Sequence, residues 1–285
     1  VTLERTSDKK SARTMVLAWQ REGLSVGLVP TMGGLHEGHL SLVRASVAEC
    51  DRTVISIYVN PTQFAPGEDL DSYPRRTNDD CRLAEQNGVD LAFCPTDEVM
   101  YPDGFCTYVV QDRLTDVLEG RSRPTHFRGV LTVVCKLFHC LPADRAYFGH
   151  KDFQQTVVVR RMVRDLDLPV QIRVLPTVRG SDGLATSTRN ERLNSEERTQ
   201  ALCLSSALRS ARELYQDGQT DAEAVRAAMR RTILDAPMVR PDYVDIVHRE
   251  TLEPVATITA DAVAVVAARV GDARLIDNQP FGPIG

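Results

Sequence analysis

Short β-branched and apolar runs alternate with amphipathic segments through the first 175 residues, and nothing else in the sequence restricts the fold as tightly. Leu24–Val29 reads as a short strand of the fully buried type, and Thr53–Val59 (Thr-Val-Ile-Ser-Ile-Tyr-Val) as a second. Between them, Leu40–Cys50 has helical spacing. Further strand-like segments stand at Leu91–Cys94, Arg145–Phe148 and Gln171–Leu175, separated by helical patterns at Thr77–Asn87, Val130–Cys140 and Gln154–Asp165. Strands without a polar face, joined through helices, pair in parallel and need helices on both sides. The expected class is therefore α/β, a Rossmann-like doubly wound parallel sheet.

The pattern changes near residue 178. Asn194 is followed three residues later by Glu197, a capping-box arrangement, and Ala201, Leu204, Leu208, Ala211 and Tyr215 then share one face before Gly218. Thr220 and Glu223 repeat the capping signal. Tyr243–Val247, Ala262–Ala268 and Ala273–Ile276 read as strands of a small antiparallel sheet. A chain of 285 residues accommodates two domains, placed at 1–177 and 178–285, the second being a smaller α+β domain. There is no internal repeat and no low-complexity stretch.

Several function classes are disfavoured. The longest uncharged apolar run, Ala262–Ala268, is far short of the roughly 20 residues that span a bilayer, and the polar segment Val1–Lys10 carries no targeting signal, so no membrane association is expected. The formal net charge is −5 and no basic block occurs, which argues against a nucleic-acid partner. Seven cysteines without a Cys-x-x-Cys pair suit reduced thiols in a cytoplasmic protein, and their spacing offers no zinc site.

Three segments carry chemistry, each at the carboxyl end of an expected strand. The first, Met32-Gly-Gly-Leu-His-Glu-Gly-His39, is a glycine turn leading into a helix, where glycines let a ligand approach the backbone and free helix-start amides favour phosphate. His36 and His39 lie three apart and would point the same way, both able to donate to phosphate oxygens. The plainer reading is a turn with two surface histidines; zinc is weaker still, because the spacing is one residue short of His-Glu-x-x-His. The second segment is Gly149-His-Lys-Asp-Phe-Gln-Gln155. Lys151 is one of four lysines against thirty arginines, so a compact ammonium is wanted there in place of a planar guanidinium, unless it simply pairs with Asp152 in solvent. In the third, Asp182-Gly-Leu-Ala-Thr-Ser-Thr-Arg-Asn190, hydroxyls and Arg189 could clamp a triphosphate or form an ordinary polar turn. Asn60 and His126 could orient a small polar substrate. Asp79 and Asp80 could help to hold Mg²⁺, or could be acidic residues at a helix start.

Met32–His39, Val59-Asn-Pro-Thr-Gln-Phe64, Gly149–Gln155 and Gly183–Asn190, in that order, resemble the motifs of the pantothenate synthetase family, and a looser similarity continues through Asp242–Ile246 and Ala273–Asn278. The resemblance implies a nucleotidyltransferase-type Rossmann domain that binds ATP, a smaller C-terminal domain that covers the site, and a homodimer. It implies an ATP-dependent ligase (pantoate–β-alanine ligase) that joins pantoate to β-alanine through a pantoyl adenylate, releasing AMP and pyrophosphate. By the same resemblance Met32, Gly33, Gly34, Leu35, His36, Glu37, Gly38 and His39 would line ATP, with His39 as proton donor and His36 and Lys151 on the phosphates. Gly149, His150, Lys151, Asp152, Val178, Thr186, Ser187, Thr188 and Arg189 would complete the nucleotide site, while Gln63 and Gln155 would bind pantoate and Gln63 would also meet β-alanine. The family's usual Met-Ser-Ser-Arg is replaced here by Thr186-Ser-Thr-Arg189. A nucleotidyltransferase whose product keeps the nucleotide, or a non-catalytic ATP-binding regulator, would share the same turn-and-histidine element.

Overall fold

The structure is a computed structural model and describes residues 2–284. In chain order the elements begin with β1 (Glu4–Thr6), α1 (Lys9–Arg21), β2 (Val26–Thr31), α2 (Glu37–Glu49), β3 (Arg52–Ile57), α3 (Thr77–Gln86) and β4 (Leu91–Phe93). There follow α4 (Asp97–Met100), α5 (Glu119–Ser122), α6 (His126–Cys140), β5 (Arg145–Gly149), α7 (Phe153–Asp165) and β6 (Gln171–Leu175). The chain ends with α8 (Ser195–Gln216), α9 (Ala222–Leu234), β7 (Val239–His248), β8 (Ala262–Val270) and β9 (Ala273–Pro280). Two compact units result. One holds the described residues up to Gly149 together with Val158–Leu175, and the other holds His150–Val157 and the residues from Pro176 onward. The expected division at 177 and 178 follows the chain, whereas the units assign the short stretch His150–Val157 to the second body.

In the first unit six strands form one sheet in the order β1-β4-β3-β2-β5-β6, every neighbouring pair parallel. Alternation along each strand divides its side chains between two cores. Leu28, Val54, Leu91, Phe93, Ala146 and Phe148 join Ala12, Val16, Leu131, Val134 and Val158 from α1, α6 and α7. Val29, Ile55, Ala92 and Tyr147 join Leu42, Val43, Cys81 and Ala84 from α2 and α3. With both faces covered, every position in β3 beyond Arg52 is buried, and its only polar residues there are the small Thr53 and Ser56. Each large aliphatic side chain so buried contributes about 2 kcal/mol.

The second unit is a three-stranded antiparallel sheet, β7-β8-β9, packed with α8 and α9 through Leu204, Leu208, Val225, Met229, Ile246, Val266 and Leu275. The longest apolar run of the sequence is its central strand, β8. Asn194 caps α8 as expected: its Oδ1 accepts from the Glu196 and Glu197 amides at 3.0 and 2.9 Å, and Glu197 Oε2 accepts from Asn194 N at 3.0 Å. The cap of α9 differs from expectation. Asp221, one residue after Thr220, takes the Glu223 and Ala224 amides at 2.9 and 3.4 Å, a carboxylate winning over a hydroxyl at the positive end of the helix. Among the described residues no helix is long and apolar enough to cross a membrane.

Asn194→Ala removes the side-chain half of the α8 capping box and leaves the half in which the residue-194 amide donates to Glu197. It is expected to lower stability by about 1 kcal/mol in urea unfolding, with no change in the denaturant slope. An unaltered midpoint would mean that water replaces the cap at no cost.

Candidate active site

Strand order reverses direction at β2, which pairs with β3 on one side and with β5 on the other. Doubly wound sheets take ligands at the carboxyl ends of the strands at such a reversal. A cavity of about 350 Å³ lies in the first unit on that side of the sheet, lined by Met32 after β2, Tyr58 after β3, Thr96 after β4, and Asp80 and Thr77 from α3.

The chain leaves β2 through a turn that requires glycine. Gly33 and Gly34 have φ of +84° and +60°, and a Cβ on Gly33 would stand 2.9 Å from Asp80 Oδ2. Asp80, 3% exposed in the first turn of α3, holds this turn: Oδ2 accepts from Gly34 N at 3.0 Å and Oδ1 from Leu35 N at 2.8 Å. Thr31 Oγ1 completes the turn by donating to Ser56 O at 2.7 Å and accepting from Gly33 N at 3.2 Å. Helix α2 then starts on His36, whose Nδ1 accepts from Gly38 N at 3.1 Å, while His36 N donates to His39 Nδ1 at 3.4 Å. The two rings stack with centroids 4.1 Å apart. Because each Nδ1 accepts, each neutral ring carries its proton on Nε2.

Asp79 and Asp80, the expected metal ligands, differ in their surroundings. Asp80 is occupied by two backbone amides, and Asp79 lies on the surface with Arg82 Nη2 at 3.3 Å. Among the described residues no group of three or more His, Cys, Asp or Glu side chains is placed to hold a metal ion.

Gln63 closes the turn Pro61–Gln63 beside Met32, donating from Nε2 to Met32 Sδ at 2.9 Å. Asn60 and His126, expected to touch substrate, both hydrogen-bond to Gln63. Asn60 is 1% exposed and its Nδ2 donates to Gln63 Oε1 at 3.1 Å and Gly129 O at 3.2 Å, while its Oδ1 accepts from the Tyr101 hydroxyl at 2.8 Å. His126 Nδ1 meets Gln63 O at 2.9 Å, so that nitrogen carries the proton, and Nε2 faces Arg123 Nη1 at 3.2 Å. Burial, then the Arg123 charge, push the imidazole down to about 4. Arg123 in turn forms a two-pronged pair with Glu68, at 2.6 and 2.7 Å, and reaches Gln63 O at 3.3 Å. Burial would raise the Glu68 carboxyl, and the guanidinium outweighs it, leaving the carboxyl below its ordinary range. Glu68 lay outside every motif; its only sequence signal is an acid in a loop rich in turn residues.

In the second unit Lys151 lies in the turn His150–Asp152 after β5, its Nζ 3.3 Å from Asp152 Oδ1 and its side chain 19% exposed. Gly149, the last residue of β5, has no positive φ, and a Cβ built on it meets nothing within 4 Å, so no steric demand of the protein explains the glycine. Gln155 is half-buried in the first turn of α7. The loop from Val178 folds back as a small hairpin, with Thr186 N donating to Val178 O at 2.9 Å and Arg179 bridged to Ala185. Ser187 Oγ accepts from Arg189 N at 3.3 Å and Thr188 is buried at the start of the turn Thr188–Arg192.

The Pantoate-beta-alanine ligase family model matches residues 4–280. A pantothenate synthetase of Chloroflexus aurantiacus is 55% identical over 254 residues, 89% of this chain and 90% of that protein. The crystal structure of pantothenate synthetase from Thermus thermophilus superposes with a TM-score of 0.93 at 47% identity, covering 98% of this chain and 100% of that one. The pantoate-beta-alanine ligase of Francisella tularensis, complexed with beta-gamma ATP and beta-alanine, superposes with a TM-score of 0.81 at 30% identity, covering 98% of each chain. A match of this extent to a turn, a histidine pair and a parallel sheet built as described leaves one conclusion: the chain belongs to the pantoate-β-alanine ligase family.

Proposed function

We infer that this chain is an ATP-dependent carbon–nitrogen ligase that condenses pantoate with β-alanine to pantothenate, releasing AMP and pyrophosphate. One observation carries the reading: the glycine turn after β2, fixed by Asp80 and running into a helix that begins on two stacked histidines, stands at the reversal point of a doubly wound sheet. Such a turn presents backbone amides and imidazole N–H groups to phosphate oxygens.

The chemistry divides into two displacements. A pantoate carboxylate oxygen attacks the α-phosphorus of ATP as the bond to pyrophosphate breaks, giving pantoyl adenylate. The neutral amine of β-alanine then attacks the acyl carbon, loses a proton, and expels AMP. In the first step negative charge grows on the departing pyrophosphate, and we assign its stabilisation to Lys151 and to the Nε2–H donors of His36 and His39. Met32–His39, Gly149–Asp152, Val178 and Thr186–Arg189 are assigned to ATP, and the open space beside Gly149 supports a backbone that a nucleotide approaches closely. Gln63, braced by Asn60, His126 and Arg123, is assigned to pantoate together with Gln155, and Gln63 also to β-alanine. ATP enters as its magnesium complex with the metal carried on the phosphates. The same reading makes the chain a cytoplasmic homodimer, which sedimentation would check.

Pantoate alone should support isotope exchange between pyrophosphate and ATP, because adenylate formation needs no amine. Exchange that strictly requires β-alanine would exclude a free adenylate. Lys151→Ala and His39→Ala should each lower that exchange by about 10²-fold or more, the scale of losing a preorganised donor to developing charge. Normal exchange in a folded variant would remove the residue from the first step. Asp80→Asn keeps the shape but turns one accepting oxygen into a donor facing an amide. It should raise the KM for ATP by about tenfold, the scale of one charge-assisted hydrogen bond, and leave the half-saturating Mg²⁺ concentration unchanged. A large rise in the Mg²⁺ requirement would restore Asp80 as a metal ligand.

A further inference from the structure

We propose that Asn278, in β9, is the positioning residue for Lys151. Its Nδ2 donates to two consecutive carbonyls, His150 O at 2.8 Å and Lys151 O at 3.0 Å. The peptide carbonyls before and after the Lys151 Cα are thereby held by one planar group, which fixes the backbone from which the ammonium extends.

Asn278 is 3% exposed, and its Oδ1 is buried without a hydrogen-bond partner among the described residues. An amide kept at that cost is poorly explained by packing, for which an apolar residue of similar size would serve better. What the amide supplies is two N–H donors on one atom, and no other side chain of that length does so.

The amide is itself indexed. Asn278 pairs with Val265 of β8, and its backbone N donates to Asp277 Oδ1 at 2.8 Å. Asp277, 4% exposed, receives both arms of Arg179 at 2.6 and 3.0 Å, and Arg179 also donates to Asn278 O at 3.4 Å and Gly183 O at 3.2 Å. The strand segment that carries the amide is therefore pinned by a charged pair as well as by the sheet ladder, so the Lys151 turn is referred to the small antiparallel sheet of the second unit.

The inference rests on the phosphate role proposed for Lys151, and a double-mutant cycle read by ATP affinity separates the two. Calorimetry on the full chain, with folding checked by thermal melts, would compare wild type, Asn278→Ala, Lys151→Ala and the double variant. Loss of ATP affinity in Lys151→Ala tests the phosphate role alone. For the positioning role, Asn278→Ala should weaken ATP binding about tenfold in the wild-type background and less than about twofold in the Lys151→Ala background. Equal weakening in both backgrounds would make Asn278 a general support of the fold and overturn the proposal, as would unchanged affinity in the single variant. Should Asn278→Ala fail to fold, Asn278→Ser, which keeps one donor, replaces it in the cycle with an expected loss of about threefold, again confined to the background that retains Lys151.

Discussion

The parallel pairing of β2 with both β3 and β5 is the constraint on which the rest of the first unit depends. Parallel neighbours need crossovers, and right-twisted strands accept them in one hand only. Moving from β2 through β3 to β4, the crossovers α2 and α3 fall on one face. Moving the opposite way, from β1 to β2 and from β4 through β5 to β6, α1, α6 and α7 fall on the other. Reversal at β2 thus covers both faces of the sheet and leaves the strand ends and the loops after them open to a ligand.

Aspartates tie the sheet together at its amino ends. Asp144, just before β5, accepts Val26 N through Oδ2 at 2.7 Å and donates its own amide to Val26 O at 2.9 Å; Asp90, just before β4, does the same to Thr53 at 2.8 and 2.9 Å. Each carboxylate thereby continues a parallel ladder by one rung, accepting from the first amide of the neighbouring strand. Asp51, ahead of β3, takes the Ser25 hydroxyl and amide at 2.6 and 2.9 Å, which hold its carboxyl below the ordinary range. Asp80 applies the same device at the opposite end of the sheet, to a turn with positive φ. Asp51, Asp80, Asp90 and Asp144 thus all accept backbone amides in this unit.

The sheet and its helices were legible because their signal is local: runs of buried residues and helical spacing mark β3, β6, α3 and α8 to within a residue or two. β1 was not, since Glu-Arg-Thr has no apolar face and is a strand only by pairing with β4. The motif residues were legible as types and positions but not as partners. Asn60 and His126 read as substrate contacts by residue type, and no local pattern shows that they also hydrogen-bond to Gln63 and, for Asn60, to Gly129. Asp80 reads as half of a metal site because its neighbour is also acidic, and its hold on the Gly34 and Leu35 amides is a distant contact that no local pattern shows. Arg179 with Asp277, and Asn278 with the Lys151 turn, join positions about a hundred residues apart, which no local pattern can announce.

The histidine pair also decides what kind of charge the turn after β2 can offer. Rings stacked at 4.1 Å would repel strongly if both were imidazolium, and an Nδ1 that accepts a backbone N–H cannot itself carry a proton. Both rings are therefore neutral Nε2–H donors, alongside helix-start amides that are dipoles and not ions. Dipolar donors aimed at a phosphate strengthen as negative charge accumulates on it, whereas an array of fixed cations would hold substrate and released pyrophosphate alike. In the proposed site the formal positive charge is left to Lys151 and Arg189, and a sequence that elsewhere writes arginine about seven times as often as lysine keeps the smaller ion at the first of them.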